Sequence, residues 1–380
     1  MNAAQKDGLP VTGPLTSDAS VATVEMAADP GAGRRATKWL RDNLFSGWVN
    51  SLLTILALAF LAWVVPPMLN WVLFEAVWSG TPEDCQASDG ACWAFIGEKM
   101  RLILFGQYPP TEQWRPQLSV LLLLAVIAVS LVRRFWKLWL VGFWILSFVV
   151  LGLLMWGGFA GMTFVPNHLW GGLPLTLGLA TVGVIGAFPL GLALALGRQS
   201  RLPFIRTLSV TYIELIRGVP LITVLFMASV MFPLFLPEGV SIDKLLRAQI
   251  GIILFTAAYL AEVFRGGLQA IPKGQYEAAA DLGLGYWRAM GLVILPQALR
   301  LVIPPTVNSF ISMFKDTSLV IIIGLFDLLG TVRLALTDPP WSRFHTEGYV
   351  FVGAIFFLFC FAMARYAGYL EKEMGKSDAR

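Results

Sequence analysis

The sequence predicts an all-α, polytopic membrane protein of about eight transmembrane helices, and three observations carry that reading. Hydrophobic residues make up 57% of the chain against 14% charged, with a mean hydropathy of +0.69, a balance that a water-exposed globular surface does not sustain. Several stretches exceed the roughly 18 apolar residues needed to cross about 30 Å of hydrocarbon. These runs are continuous rather than alternating, which selects helices over a barrel, because backbone groups in lipid must find partners inside the protein.

Residues 1 to about 33 are rich in Ala, Gly, Asp, Ser and Thr and hold neither an apolar core nor a cleavable signal pattern. With the stretch to 47 they read as a largely disordered cytoplasmic tail. Spans are expected at about 49–74, 116–132, 138–156, 173–197, 219–236, 248–264, 302–325 and 350–368. Three of them form a front section, 48–170, with a long outer loop at 79–115. The other five form a core at 171–370, and 371–380 is a second cytoplasmic tail. Of the 28 Lys and Arg, twenty fall on the side of the N-terminus, seven on the other side, and Lys315 inside a span. This asymmetry places both termini in the cytoplasm. Trp48, Trp78, Trp136, Trp139 and Trp170 stand near proposed span ends, where an indole suits either the headgroup region or core packing.

The net charge of +4 is scattered between hydrophobic spans and forms no basic patch interleaved with exposed aromatics, which argues against nucleic acid as a partner. Three cysteines are too few for a disulfide scaffold; Cys85 and Cys92, close together in the outer loop, either bridge in an oxidising compartment or stay free. His168 and His345 stand in different loops without ligand spacing, so no metal site is expected. No Gly-x-x-x-x-Gly-Lys-Ser/Thr loop is present, and Lys273-Gly274 does not substitute for one. The halves do not mirror each other as those of inverted-repeat carriers do.

The most informative stretch is the loop at about 265–300, which is too long for a simple connection. Within it Gln275 to Leu282 are mostly good helix formers, preceded by Pro272 and Gly274 and stopped by Gly283 and Gly285. A compact cytoplasmic peg follows. Glu277-Ala278-Ala279, then Gly283, then Val293, Leu295 and Pro296 resemble the EAA loop of binding-protein-dependent ABC importers, departing only by Val for Ile.

The resemblance extends to Tyr212-Ile-Glu-Leu-Ile-Arg-Gly-Val-Pro-Leu221, Ala261-Glu-Val-Phe-Arg-Gly266, Pro296-Gln-Ala-Leu-Arg300, Lys315-Asp-Thr-Ser-Leu319 and Ile323-Gly-Leu-Phe-Asp-Leu-Leu329. Together these are similar to the polar amino-acid permeases of the histidine and glutamine importer type. The three extra front spans resemble the longer permease subunit of general L-amino acid importers. That likeness implies a transport subunit of a bacterial inner membrane, not an enzyme, working with a paralogous second permease subunit as a heterodimer. Two ATPase subunits holding ATP and Mg and a periplasmic solute-binding protein complete the assembly it implies, with no cofactor on this chain. Gln275, Tyr276, Glu277, Ala278, Ala279 and Gly283 would form the coupling helix that docks on an ATPase; small Ala side chains permit close approach, and Gly283 a sharp exit.

Lys315 and Asp316 fall inside a proposed span, where charge is costly and marks function by default. Counted at about 1.5 Å per residue from a helix-breaking Pro305, Lys315 lies roughly 15 Å into the bilayer. Asn308, Ser312 and Lys315 share one helical face, with Ser309 and Asp316 at its margin. This stripe should face a cavity and bind solute, Lys315 meeting a carboxylate and Asp316 an ammonium; alternatively the two charges lock the helix as a structural pair. Ser309 stands where relatives that carry cationic amino acids have an acidic residue, which argues against strict selectivity for Lys or Arg. Glu214 with Arg217, and Glu262 with Arg265, read as structural i,i+3 ion pairs. Competing functions are a permease for another small zwitterion such as a betaine, a self-contained secondary carrier, or a membrane enzyme. A carrier would show repeated broken helices and an enzyme a convergent catalytic set.

Overall fold

The computed structural model describes residues 32–378. It divides between Leu69 and Asn70 into two units. The expected tail 1–47 lies outside the described residues as far as residue 31, and Ala32–Leu44 within it is helical (α1). The first unit adds α2, Trp48–Leu69, apolar on all sides with no buried residue, as suits a helix solvated by lipid.

The second unit is helical throughout, with two isolated bridges, Val77 to Cys92 and Gly172 to Asp327, among the described residues. Its first part holds α3 (Pro82–Gln86), α4 (Trp93–Phe105), α5 (Trp114–Ser130) and α6 (Leu138–Trp156). Then follow α7 (Gly172–Arg198), α8 (Pro203–Arg217), α9 (Leu221–Phe226), α10 (Lys244–Ala270) and α11 (Lys273–Asp281). The chain ends with α12 (Tyr286–Ala289), α13 (Leu295–Asp316), α14 (Leu328–Ala335) and α15 (His345–Asp378). Six segments among the described residues are long and apolar enough to cross a membrane, and α8 with Leu221–Phe235 makes a seventh if that pair, bent by 104°, is one span. The expected span 116–132 corresponds to α5, a shorter apolar helix of 17 residues. The expected span 219–236 is helical over Leu221–Phe235, entered through the 104° bend that separates it from α8. Gly218-Val219-Pro220 ends α8, because the residue before Pro is pushed from helical angles, and α9 passes into a π turn at Met227–Met231.

The outer loop expected at 79–115 is a folded cap. Cys85 and Cys92 are bridged, with Cα atoms 5.4 Å apart. Phe95 packs on Trp341 and Phe344, with ring centroids 6.0 and 6.4 Å away, Lys99 pairs with Asp338 at 2.6 Å, and the Cys92 N–H donates to Glu347 Oε1. These contacts seat the cap on α14 and α15. Arg115, an outer-loop cation by sequence, is fully buried, donating to the Leu154, Met155 and Thr163 carbonyls. A cation at the end of α6 complements the unpaired carbonyls there. Beside it Tyr108 donates to the Met155 carbonyl, and burial pushes its phenol up to about 12.

Close packing of α7 on α10 centres the core. A Cβ added at Gly191 would stand 2.8 Å from Leu260 Cβ and 3.0 Å from the Ala257 carbonyl, so the backbones approach as small-residue faces of membrane helices do. α13 continues as one helix through Pro304 and Pro305. Pro305 therefore does not break the helix, and the depth counted from it for Lys315 loses its origin. Lys315 instead lies in the last turn of α13, ahead of a 3-10 segment that ends at Gly324. Within membrane helices, neighbouring groups accommodate the N–H that proline lacks.

Candidate functional site: a polar cavity strapped to an exposed peg

α10 and α13 together wall a cavity of about 370 Å³ lined by Phe255, Thr256 and Tyr259 from the first helix and Asn308, Ser309, Ser312, Met313 and Asp316 from the second. Four of the five sequence-predicted solute residues converge here. Lys315 does not: it is exposed and outside the lining, and no ion pair within 4.0 Å joins it to Asp316 among the described residues. The reason is angular. At 100° per residue, Asn308, Ser309, Ser312 and Asp316 span one sector of α13, and Lys315 falls off its edge. The α10 wall went unnoticed in the sequence, although Thr256 and Tyr259 at i and i+3 place two hydroxyls on one face of an otherwise apolar run.

Below the cavity lies a charge cluster centred on Glu262. Arg265 donates to Glu262 Oε1 through Nε at 2.7 Å and through a second nitrogen, Arg198 reaches Glu262 Oε2 at 3.3 Å, and Arg217 stands 3.6 Å from the same oxygen. Glu214 pairs with Arg198 at 2.9 Å. The expected Glu214–Arg217 pair is thus replaced: in the last turn of α8 Glu214 turns to Arg198 at the end of α7 and Arg217 to Glu262 of α10. The Arg217 guanidinium also lies over the Tyr259 ring, 5.6 Å from its centroid, so the cluster touches the cavity wall.

α11 is the peg expected from sequence, and its exit is a Schellman turn: Gly283 has φ +70°, the Leu284 N–H donates to the Ala279 carbonyl and the Gly283 N–H to that of Ala280. Glu277, Ala278 and Leu282 are exposed, as are Tyr286 and Trp287 just beyond. Ala279 faces inward and is buried, so it packs the peg on the bundle and offers no docking surface. Tyr276 is half-buried, and burial raises its phenol above the usual range. Two bonds strap the peg to the cavity walls. Tyr276 Oη donates to the Leu268 carbonyl of α10 at 3.2 Å, and Gln297 Nε2 in the first turn of α13 donates to Gln275 Oε1 at 3.0 Å.

Cavity walls, cluster and peg all fall within residues 187–376, which match the binding-protein-dependent transport system inner membrane component family. An "Inner membrane amino-acid ABC transporter permease protein YhdY" from Escherichia coli (strain K12) is 54% identical over 345 residues, 89% of this chain and 93% of that protein. The chain belongs to this family. The "Glutamate/glutamine/aspartate/asparagine transport system permease protein BztC" of Rhodobacter capsulatus is 39% identical, covering 96% of this chain and all of that one. A solved structure described as an amino acid ABC transporter with histidines is 31% identical, with TM-score 0.48, over 52% of this chain and 90% of the other. As a binding-protein-dependent inner membrane component, the chain is a multi-span transport subunit and not an enzyme. Its family works with a separate ATPase subunit and a solute-binding protein.

Proposed function

We propose that this chain is the permease subunit of an ATP-driven importer of L-amino acids, with the α10–α13 cavity as the solute passage and α11 as the coupling helix. The observation that carries the reading is the pair of straps from the peg to both cavity walls, Tyr276 to Leu268 and Gln275 to Gln297. A push on α11 then moves the helices that enclose the solute. The names of the YhdY and BztC relatives support amino acids as the solute class.

In the cavity, Asp316 offers an acceptor for an α-ammonium, while the Ser312 hydroxyl and the Asn308 amide offer donors to a carboxylate; the Ser309 hydroxyl donates to the Pro305 carbonyl and lines the cavity as an acceptor. Asp316→Asn should weaken apparent solute affinity about 10-fold or more, as loss of a charge-assisted hydrogen bond worth about 1.5–3 kcal/mol implies. Uptake kinetics in proteoliposomes carrying the whole importer read this out; unchanged affinity rejects the cavity. Lys315, exposed on an apolar bundle, needs cover in a bilayer. A paralogous second permease subunit supplies it in our reading, so Lys315→Met should change recovery of the permease pair more than solute affinity.

The positive-inside asymmetry supports both termini in the cytoplasm of a bacterial inner membrane, with the disulfide cap in the periplasm and ATP and Mg on the ATPase partners. With Cys360, the free thiol, replaced, Gly274→Cys should react with a membrane-impermeant maleimide only from the cytoplasmic side and Asp89→Cys only from the other. Reaction of both from one side sinks this topology.

A further inference from the structure

We propose that a second cavity, walled by α5 and α6 on one side and α7 and α10 on the other, binds a membrane phospholipid, its acyl chain along the helices and its ammonium-bearing headgroup at Asp243. The cavity measures about 430 Å³, inside the range of small-molecule sites. Its two ends differ in chemistry. Asn167, Trp170 and Asp243 mark one end, Leu123, Phe148 and Val182 the other. The helices order them: α5 passes from Ser119 to Leu123 and α7 from Pro174 to Val182, while α6 runs the opposite way from Phe148 to Trp156. Eight residues of α7 give an apolar slot about 12 Å long. Trp156 and Trp170, ring centroids 5.1 Å apart, stand at its polar mouth, as indoles do at a headgroup level.

Two details select a lipid over a second amino acid. The deep end holds no charge to meet a zwitterion. At the mouth, Asp243 uses Oδ1 for both helix-capping bonds, to the Leu245 and Leu246 N–H groups, which leaves Oδ2 for a headgroup ammonium. A Cβ built at Gly178 on the cavity wall meets nothing within 4 Å, so the slot has room for an occupant, and a side chain there would fill it without displacing protein.

Native mass spectrometry of the whole importer, exchanged into vesicles of phosphatidylethanolamine or phosphatidylglycerol before detergent extraction, tests the site. The unaltered complex should retain phospholipid, with phosphatidylethanolamine preferred. Gly178→Leu should lose it and Gly178→Ala keep it, while Asp243→Asn, whose amide oxygen still caps α10, should keep lipid and lose the preference. Val182→Phe, which narrows the apolar end of the slot from the same helix, should also lose lipid; it decides the matter if Gly178→Leu fails to assemble. Retention equal to the unaltered complex in both Gly178→Leu and Val182→Phe overturns the site, and equal retention of the two lipids by the unaltered complex overturns the Asp243 assignment.

Discussion

Gly283→Val is expected to abolish stimulation of ATP hydrolysis by the solute-loaded binding protein while leaving membrane insertion intact. Gly283 holds φ +70°, which lets its own N–H and that of Leu284 close the two bonds of the α11 exit turn. A β-branched residue there costs on the order of 1–3 kcal/mol of backbone strain. Its Cβ would meet nothing within 4 Å, so the substitution acts through the backbone and not through packing. The chain's cheapest response is to abandon the left-handed turn, which unwinds the last turn of α11 and re-aims the exposed Glu277, Ala278 and Leu282. Solute uptake should fall at least about tenfold, since a misplaced contact of even 1 Å in a working assembly costs on the order of 10²-fold. Gly283→Ala, less hindered, should fall between the two. Glu277→Lys, which reverses an exposed charge on the same face, should uncouple without altering the helix. Normal uptake with normal ATP hydrolysis in Gly283→Val removes α11 from the coupling role.

The sequence was most legible where a local rule governs. Helix with glycine stop, α11 to Gly283, needs only propensity and the sign of φ, and it stands where the pattern placed it. The all-α membrane class was equally legible, because continuous apolar runs have one solution in lipid. Legibility failed where a third element intervenes. Glu214 and Arg217 have ideal i,i+3 spacing, yet Arg198, sixteen residues before Glu214, takes the glutamate; no local pattern announces a neighbour from another helix. Pro305 misled for a related reason, since a proline that breaks a helix in water is tolerated in a packed membrane bundle. Lys315 shares a face with Asn308 and Ser312 by its i, i+4, i+7 spacing, but the cavity lies on the Ser309 and Asp316 side of that face, and Lys315 stands just past its other edge. The folded cap that contains α4 was not legible, because its order comes from the Cys85–Cys92 bridge and from Trp341 and Phe344 far along the chain.

Glu262→Gln should be the most damaging substitution in the charge cluster, and damaging in two measurable ways. Glu262 is the carboxylate shared by Arg198, Arg217 and Arg265; without it three guanidinium groups face Glu214 alone. The side chains are between 23% and 33% exposed, so neither the surface value of about 0–1 kcal/mol nor the buried value of about 3–5 kcal/mol applies unmodified. A loss of about 2–3 kcal/mol lies between them, readable as a lowered unfolding temperature of the detergent-purified complex. Glu214, with a 56% exposed side chain and Arg198 as its partner, should lose less than about 1 kcal/mol on the same Gln exchange. The second effect runs through Arg217, whose guanidinium rests on Tyr259 of the cavity wall. Freed from Glu262, Arg217 can leave the ring, which loosens the wall against which solute packs. Glu262→Gln should therefore also shift apparent solute affinity, and Arg265→Gln added to it should recover stability by removing one of the unpaired cations, but should not restore affinity. Equal stability losses at Glu262 and Glu214, with affinity untouched in both, would show that the cluster is an ordinary surface network with no hold on the cavity.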